Sequence, residues 1–184
     1  TSNYFHVTTN EGQSWKVISP DLTRSESEKL GPSGGPITKD NTAVEYYATI
    51  FAACESPYEK DLLRAASDDG LIHFSKDGGN NWTDITNSLP YKTISYIAVH
   101  PTDENKIWIT LSGYTSGKKV YHSTDGGTSW QNISGTLPNI PANCIILDEN
   151  SSNQTLYIGT DLGVFTTDST LSDWNLFNNN SLPN

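Results

Sequence analysis

Apolar residues along this chain come in short bursts that alternate with polar ones. Ile94-Ser95-Tyr96-Ile97-Ala98-Val99-His100, Lys106-Ile107-Trp108-Ile109-Thr110-Leu111 and Thr155-Leu156-Tyr157-Ile158-Gly159-Thr160 are rich in β-branched and aromatic residues at a period of two. That pattern predicts strands with one face on a core. Turn residues separate the bursts. Asp69-Gly70 and Leu162-Gly163 mark tight hairpins, and Leu89-Pro90, Leu137-Pro138 and Leu182-Pro183 mark exits, where a proline is tolerated because no ladder N–H is needed.

One hairpin recurs four times. Thr8-Thr9-Asn10-Glu11-Gly12-Gln13-Ser14-Trp15, Ser75-Lys76-Asp77-Gly78-Gly79-Asn80-Asn81-Trp82 and Ser123-Thr124-Asp125-Gly126-Gly127-Thr128-Ser129-Trp130 share S/T-x-D/N-x-G-x-x-W. A fourth copy, Thr166-Thr167-Asp168-Ser169-Thr170-Leu171-Ser172-Asp173-Trp174, has one extra residue and no glycine. The chemistry of such a box is structural. A short carboxylate accepts hydrogen bonds from the backbone of its own turn. Glycine supplies positive φ. The hydroxyl ties down the preceding strand, and the indole folds back to bury a large ring between neighbouring units. Thr8, Asn10, Gly12, Trp15, Ser75, Asp77, Gly79, Trp82, Ser123, Asp125, Gly127, Trp130, Thr166, Asp168 and Trp174 are therefore expected to be structural, with Trp82 and Trp130 mostly buried.

The tryptophans of successive boxes lie 67, 48 and 44 residues apart. The last two spacings match one propeller blade, about 40–50 residues. Working outward from each box gives four strands per unit. The second unit reads Tyr46–Cys54, Leu62–Ser67, Leu71–Ser75 and Asn81–Thr86. The third reads Thr93–His100, Lys106–Ser112, Lys119–Thr124 and Ser129–Ser134. The fourth reads Ala142–Asp148, Thr155–Thr160, Gly163–Thr167 and Asp173–Phe177. Only two strands, Tyr4–Thr8 and Ser14–Ser19, are expected of the first unit. The organisation predicted is a half blade over 1–19, an insertion over 20–45, and blades over 46–90, 91–138 and 139–184.

The repeated motif resembles the Asp-box of sialidase-like, xyloglucanase-like and sortilin-like propellers. With the insertion Ser19-Pro20-Asp21-Leu22-Thr23 to Val44-Glu45-Tyr46-Tyr47 and the segment Ser67-Asp68-Asp69-Gly70-Leu71-Ile72-His73, the chain resembles bacterial sortilin-like, BNR-repeat propellers. Many of these are described as glycosyl hydrolases and exported by Bacteroidetes through type 9 secretion. The resemblance implies an all-β Asp-box propeller, about three and a half blades of a ring of seven or more. It also implies a secreted or cell-surface location on the exterior of a bacterial outer membrane. Three and a half blades close no ring, so the chain is expected to be a fragment, partnered by the remaining blades of its own propeller or by a surface-protein complex.

Composition narrows the function. The chain of 184 residues carries 11 basic and 21 acidic side chains, a net charge of −10. Such a surface repels phosphates, so nucleic acid is an unsuitable partner. No run approaches the ~20 apolar residues of a membrane span. Cys54 and Cys144 sit in separate strand-like runs and read as two buried thiols, with a disulfide between them, which needs their Cα atoms within about 7 Å, as the alternative. Of the four histidines, His6, His73 and His122 are expected at equivalent third-strand positions, one per blade. With no zinc spacing and no nucleophile motif, neither metal nor cofactor is expected. Five N-x-S/T sequons, at Asn81, Asn132, Asn150, Asn153 and Asn179, suit the general abundance of asparagine.

A ligand is expected at the insertion, where a carboxylate beside aromatics suits sugar hydroxyls and ring faces. Lys39, Asp40, Asn41, Glu45, Tyr46 and Tyr47 are the candidates. A self-capped loop plugging the channel is the alternative for the same residues, and Asp68 and Asp69 read as hairpin residues. Only two arginines, Arg24 and Arg64, are present, too few for the three-arginine clamp of sialidases. An inverting glycosidase needs carboxylates about 6.5–9.5 Å apart across a substrate, whereas Asp40 and Glu45 share one loop. A protein- or glycan-binding scaffold is thus expected first, part of a xyloglucanase-like hydrolase second, and a sortilin-like peptide receptor third.

Overall fold

The computed structural model describes residues 2–32 and 47–177. These residues form β-sheet throughout, with one 3₁₀ turn at Ser27–Lys29 as the sole helical element among them. A two-stranded hairpin, β1 (His6–Val7) and β2 (Lys16–Val17), leads. Three four-stranded antiparallel sheets follow. The second blade is β3 (Ile50–Glu55), β4 (Leu63–Ser67), β5 (Ile72–Ser75) and β6 (Thr83–Asp84). The third is β7 (Ile94–Val99), β8 (Ile107–Leu111), β9 (Val120–Ser123) and β10 (Gln131–Asn132). The fourth is β11 (Ala142–Leu147), β12 (Leu156–Thr160), β13 (Gly163–Thr167) and β14 (Asn175–Leu176).

In every sheet the strands follow chain order, so each blade is a meander. The inner strands β3, β7 and β11 adjoin one another. Each carries an irregularity at the same register, skipping Phe51, Ser95 and Asn143. An extra residue there bends the strand and increases its twist. The outer strands are shorter than the alternation predicts: β2, β6, β10 and β14 each keep two paired residues. Beyond them, the backbone turns away to make the box and the exit.

The cores lie between blades. Ile72 and Ile85 of the second blade pack with Ile94, Ile97, Ile107, Ile109 and Trp130 of the third. Trp108, Val120 and Leu137 of the third pack with Ala142, Ile145, Leu156, Ile158 and Trp174 of the fourth. Flat pairs stand on the face that each blade turns to the next. The Arg64 guanidinium lies 4.8 Å from the Phe74 ring centroid, and Trp108 stacks on His122 at 4.7 Å and 4°. The register aligns His122 with Phe74 and Tyr121 with His73. His6 and His73 are thus equivalent, but His122 lies one residue out of step, so the three histidines do not share one repeat position. Cys54 and Cys144 are separate free thiols, and both are only partly buried. Burial pushes the Cys54 thiol up to about 11.

Candidate functional site

Two features repeat from blade to blade. The first is the box. Ser75 Oγ donates to Asp77 Oδ1 at 2.9 Å, and the same oxygen accepts the Asn81 N–H at 2.8 Å. Gly79 N–H donates back to Ser75 Oγ at 2.9 Å. In the third blade the corresponding bonds from Ser123, Ser129 and Gly127 are each 2.8 Å. Asn10 reproduces the scheme with its carboxamide oxygen, accepting from Thr8 Oγ1 at 3.0 Å and Ser14 N–H at 2.9 Å, while Gly12 N–H donates to Thr8 Oγ1 at 2.9 Å. Side-chain and backbone donors at Asn81 lower the Asp77 pKa. Donors at Ser129 hold Asp125 at about 2.

The fourth copy is built differently. Leu156 pairs with Thr167, as Leu63 pairs with Ser75 and Ile107 with Ser123. Thr167, one residue beyond Thr166, therefore stands at the box hydroxyl position. Its Oγ1 donates to the Asp173 carbonyl at 3.0 Å. Asp168 accepts only locally, from Thr170 N–H at 2.7 Å and Thr170 Oγ1 at 2.6 Å. Asp173 reaches across to the third blade and accepts the Thr136 N–H at 2.9 Å. Gly135 has no Cβ to block it, since a Cβ there would lie 2.1 Å from Asp173 Oδ1.

The second feature is the indole lock. Trp82, Trp130 and Trp174 Nε1–H donate to the carbonyls of Ile18, Ile85 and Ile133 at 2.9, 2.8 and 2.7 Å. In each case the acceptor belongs to the outer edge of the preceding blade. The box glycines permit this approach: a Cβ on Gly79 would lie 2.6 Å from the Ile18 carbonyl oxygen, and one on Gly127 2.6 Å from Ile85 Cδ1. The residue after each acceptor adds a further tie. Ser19, Thr86 and Ser134 hydroxyls accept from Phe5, Ile72 and Val120 N–H at 2.7, 3.0 and 3.0 Å. This hydroxyl starts an S/T-x-x-Leu pattern whose leucines, Leu22, Leu89 and Leu137, are buried. The Leu-Pro exits were the visible part of that pattern.

Trp130 and Trp174 are 9% and 7% exposed, while Trp15 is 62% exposed. Trp82 is only half-buried, short of the burial expected for it. It packs on the two-stranded leading hairpin, with the Phe5 ring centroid 5.5 Å away.

The boxes share one side of the blades with the loops joining the first two strands. Gly78, Gly126 and Ser169 N–H donate to the Asp61, Asn105 and Asn153 carbonyls of those loops. The opposite side carries the hairpins after β4, β8 and β12 and the crossings between blades. Here a strap, residues 21–30, lies over the second blade. Arg24 N–H donates to Asp69 Oδ2 at 2.7 Å and Arg24 Nε to the Asp69 carbonyl at 3.0 Å. Ser67 Oγ donates to Asp69 Oδ1 at 2.5 Å. Asp68 accepts the Thr49 N–H at 2.9 Å, and burial raises its pKa.

The far end of the strap is a polar knot. Lys29 Nζ, Tyr47 OH and Tyr91 OH all donate to Glu26 Oε2, the last at 2.5 Å. Arg24 and Lys29 stand 4.9 and 4.7 Å from the Tyr91 ring centroid. Lys29 chiefly, then the two tyrosines, hold the Glu26 carboxyl at about 2. Burial first, then the hydrogen bonds to Glu26 and Tyr91, raise the Tyr47 phenol. Of the candidate ligand residues, Tyr47 is placed in this knot. Lys39, Asp40, Asn41, Glu45 and Tyr46 lie outside the described residues. Glu26, Lys29 and Tyr91 are not among the sequence candidates, and Arg24 enters there only as one of two arginines, although Tyr91 directly follows the Leu89-Pro90 exit, at the start of a crossing. Among the described residues no group of three or more His, Cys, Asp or Glu is placed to hold a metal, and no helix is long and apolar enough to cross a membrane.

Meandering four-stranded sheets, inner strands side by side and a box on each outer hairpin define a segment of an Asp-box β-propeller. The sequence profile of the family described as "Sortilin, neurotensin receptor 3" matches residues 70–181, more than half of the chain, and the chain belongs to this Sortilin-Vps10 family. Its fold is shared by an ancestral GH74 enzyme at 19% identity and a TM-score of 0.65, over 94% of this chain and 21% of that one. A GH74 enzyme of Niastella koreensis matches at 21% identity and a TM-score of 0.57, over 71% of this chain and 22% of that one. The extracellular domain assigned to a one-component system of B. thetaiotaomicron matches at 15% identity and a TM-score of 0.57, over 95% and 20%. The chain thus spans about a fifth of each of these structures, and identities this low speak for the fold alone. Among curated proteins none matches.

Proposed function

We propose that the chain is part of a secreted or cell-surface propeller that binds protein or glycan through the face of the crossings and strap, and that it has no glycosidase turnover by itself. The observation that carries this reading is the bulky residues presented there. Tyr91 at the second crossing, Tyr114 in the hairpin after β8 and Leu162 in the hairpin after β12 are all exposed, Tyr114 at 70%. On an acidic, polar surface, such residues on successive blades suit a flat ligand. Three carboxylates of the strap and of the hairpin beneath it are engaged in structure. Glu26 is held by three donors, Asp69 by Ser67 and Arg24, and Asp68 by Thr49. A carboxyl held at about 2 does not serve as a general acid near neutral pH. An extracellular setting is supported by the neighbour from B. thetaiotaomicron, which is itself an extracellular domain.

The second reading, part of an inverting hydrolase, draws on the fold shared with GH74 enzymes. Asp40 and Glu45 remain its candidate carboxylates. Membership of the Sortilin-Vps10 family supports a third reading, a peptide receptor. The deciding experiment incubates the chain with xyloglucan and measures reducing ends, beside binding to glycan and peptide arrays. Binding without turnover, reduced by Tyr114→Ala and Tyr91→Ala, is the expected result. Turnover lost in Asp40→Asn or Glu45→Gln would replace this proposal with the hydrolase.

A further inference from the structure

On the box side, a cleft separates the second blade from the third, and another separates the third from the fourth. The first holds a cavity of about 360 Å³ whose walls include Phe74, Ile85, Glu104 and the box aspartates Asp77 and Asp125. The second holds about 460 Å³, within the size of small-molecule sites, about 300–1,000 Å³. Its walls run from Trp108 to Trp174 and belong to two complete four-stranded sheets.

Register shows what changes between the two clefts. Arg64 pairs with Phe74 as Trp108 pairs with His122, so an imidazole replaces the phenyl ring. Lys76 and Glu104 approach to 4.0 Å across the first cleft. Ser75 and Ser123 are equivalent, as are Ile107 and Leu156, which puts Thr124 and Asn153 at those two positions of the second cleft. No ion pair can form there, and the longer fourth box adds Leu171 and Ser172 to the wall.

The chemistry of this cavity is specific. The His122 ring lies flat on Trp108, and its Nε2 is buried with no hydrogen-bond partner among the described residues. A buried nitrogen without a partner costs free energy that a bound group can recover. Burial chiefly, then Lys106, lowers the His122 pKa, so the ring is neutral near pH 7. A neutral imidazole donates at one nitrogen and accepts at the other, and a hydroxyl, which does both, satisfies Nε2 in either tautomer. Gln131 is the cross-strand partner of His122. Asp168 takes both Thr170 bonds at Oδ1, which leaves Oδ2 to accept from a ligand. Ile133, Leu156 and Leu171 add aliphatic surface. Among the described residues no lysine or arginine lines the cavity, so an anion finds no counter-charge and meets the Asp168 and Asp173 carboxylates instead.

We propose that the cavity between the third and fourth blades binds one uncharged pyranose unit, whose hydroxyls are taken by His122 Nε2, Gln131 and Asp168 and whose C–H groups meet Ile133, Leu156 and Leu171. The site lies on the side opposite the crossings and strap, so it is separate from the ligand face proposed above and does not depend on it.

Saturation-transfer difference NMR on the chain tests it, titrated with glucose, galactose, mannose and N-acetylglucosamine and, in parallel, with glucuronate. Saturable transfer to at least one uncharged sugar is expected at millimolar concentration, with none to glucuronate. The side-chain ¹⁵N resonance of His122 Nε2 should shift along the same titration, a signal that a merely structural histidine would not give. His122→Phe, which installs the residue found one repeat earlier, should weaken binding about tenfold, the equivalent of one lost hydrogen bond. Gln131→Ala should weaken it as well, with the near-ultraviolet signal of the tryptophans unchanged, whereas Tyr114→Ala on the opposite side should have no effect. Absence of transfer to every uncharged sugar, equal binding of glucuronate, an Nε2 resonance that stays put at saturation, or a loss of binding in Tyr114→Ala would each overturn the proposal.

Discussion

The first and third boxes share one motif and the same internal hydrogen bonds, yet have opposite surroundings. Thr8, Asn10, Gly12 and Ser14 fold their hairpin as Ser123, Asp125, Gly127 and Ser129 fold theirs. The Trp130 indole then finds the Ile85 carbonyl and a buried cleft, while the Trp15 indole stands in solvent. The box is therefore a local unit that forms from its own residues, and its tryptophan acquires a packing role only against the outer edge of another blade. Local hydrogen bonds define the hairpin, whereas the burial that stabilises the arc is a property of pairs of blades, as in other repeat architectures.

Four substitutions sharpen this contrast, in decreasing order of effect. Trp130→Ala should cost about 3–5 kcal/mol, the usual penalty for deleting a large buried aromatic, read from the chemical denaturation midpoint. Gly127→Ala should cost about 1–3 kcal/mol by the same measurement, because the new Cβ collides with Ile85 and φ is +95°. A loss close to that of an exposed glycine site would break the claim that close approach of box and blade is required. Asp125→Ala should destabilise less and remove an acid-sensitive contribution. The folded-state pKa of Asp125 is depressed, so its stabilisation is complete above the ordinary carboxylate value and is lost as pH falls through that value towards about 2. Stability of the native chain followed between neutral and strongly acidic pH, against the variant, should show the two curves converging at the acid end. Trp15→Ala should leave stability within about 0.5 kcal/mol of the native chain, as for other exposed sites.

Much of this architecture could be read from the sequence, and the failures share a cause. Alternating strands and turn glycines are local signals, so the blades and their order emerged from periodicity alone. The sequence alternation continues past the last ladder pair at Asp84 and Asn132, so it predicts outer strands longer than those that form. The motif puts the fourth box one residue early, on Thr166, because Thr166 and Thr167 are chemically alike and only the pairing with Leu156 distinguishes them. The motif alone predicts a mostly buried Trp82, whereas burial depends on the strands the indole meets, and Trp82 packs on the two-stranded leading hairpin. The strap was the largest omission. Arg24 and Asp69 lie 45 residues apart and Glu26 and Tyr91 lie 65 apart, so no local pattern links them. The insertion itself stood out, since its length breaks the blade period.

Indole N–H hydrogen exchange, followed by NMR at high dilution, tests the central claim most directly. The account predicts slow exchange at Trp82, Trp130 and Trp174, whose N–H groups are bonded to the preceding blade, and fast exchange at Trp15. Comparable protection at Trp15 and Trp130, or fast exchange at all of them, would contradict it.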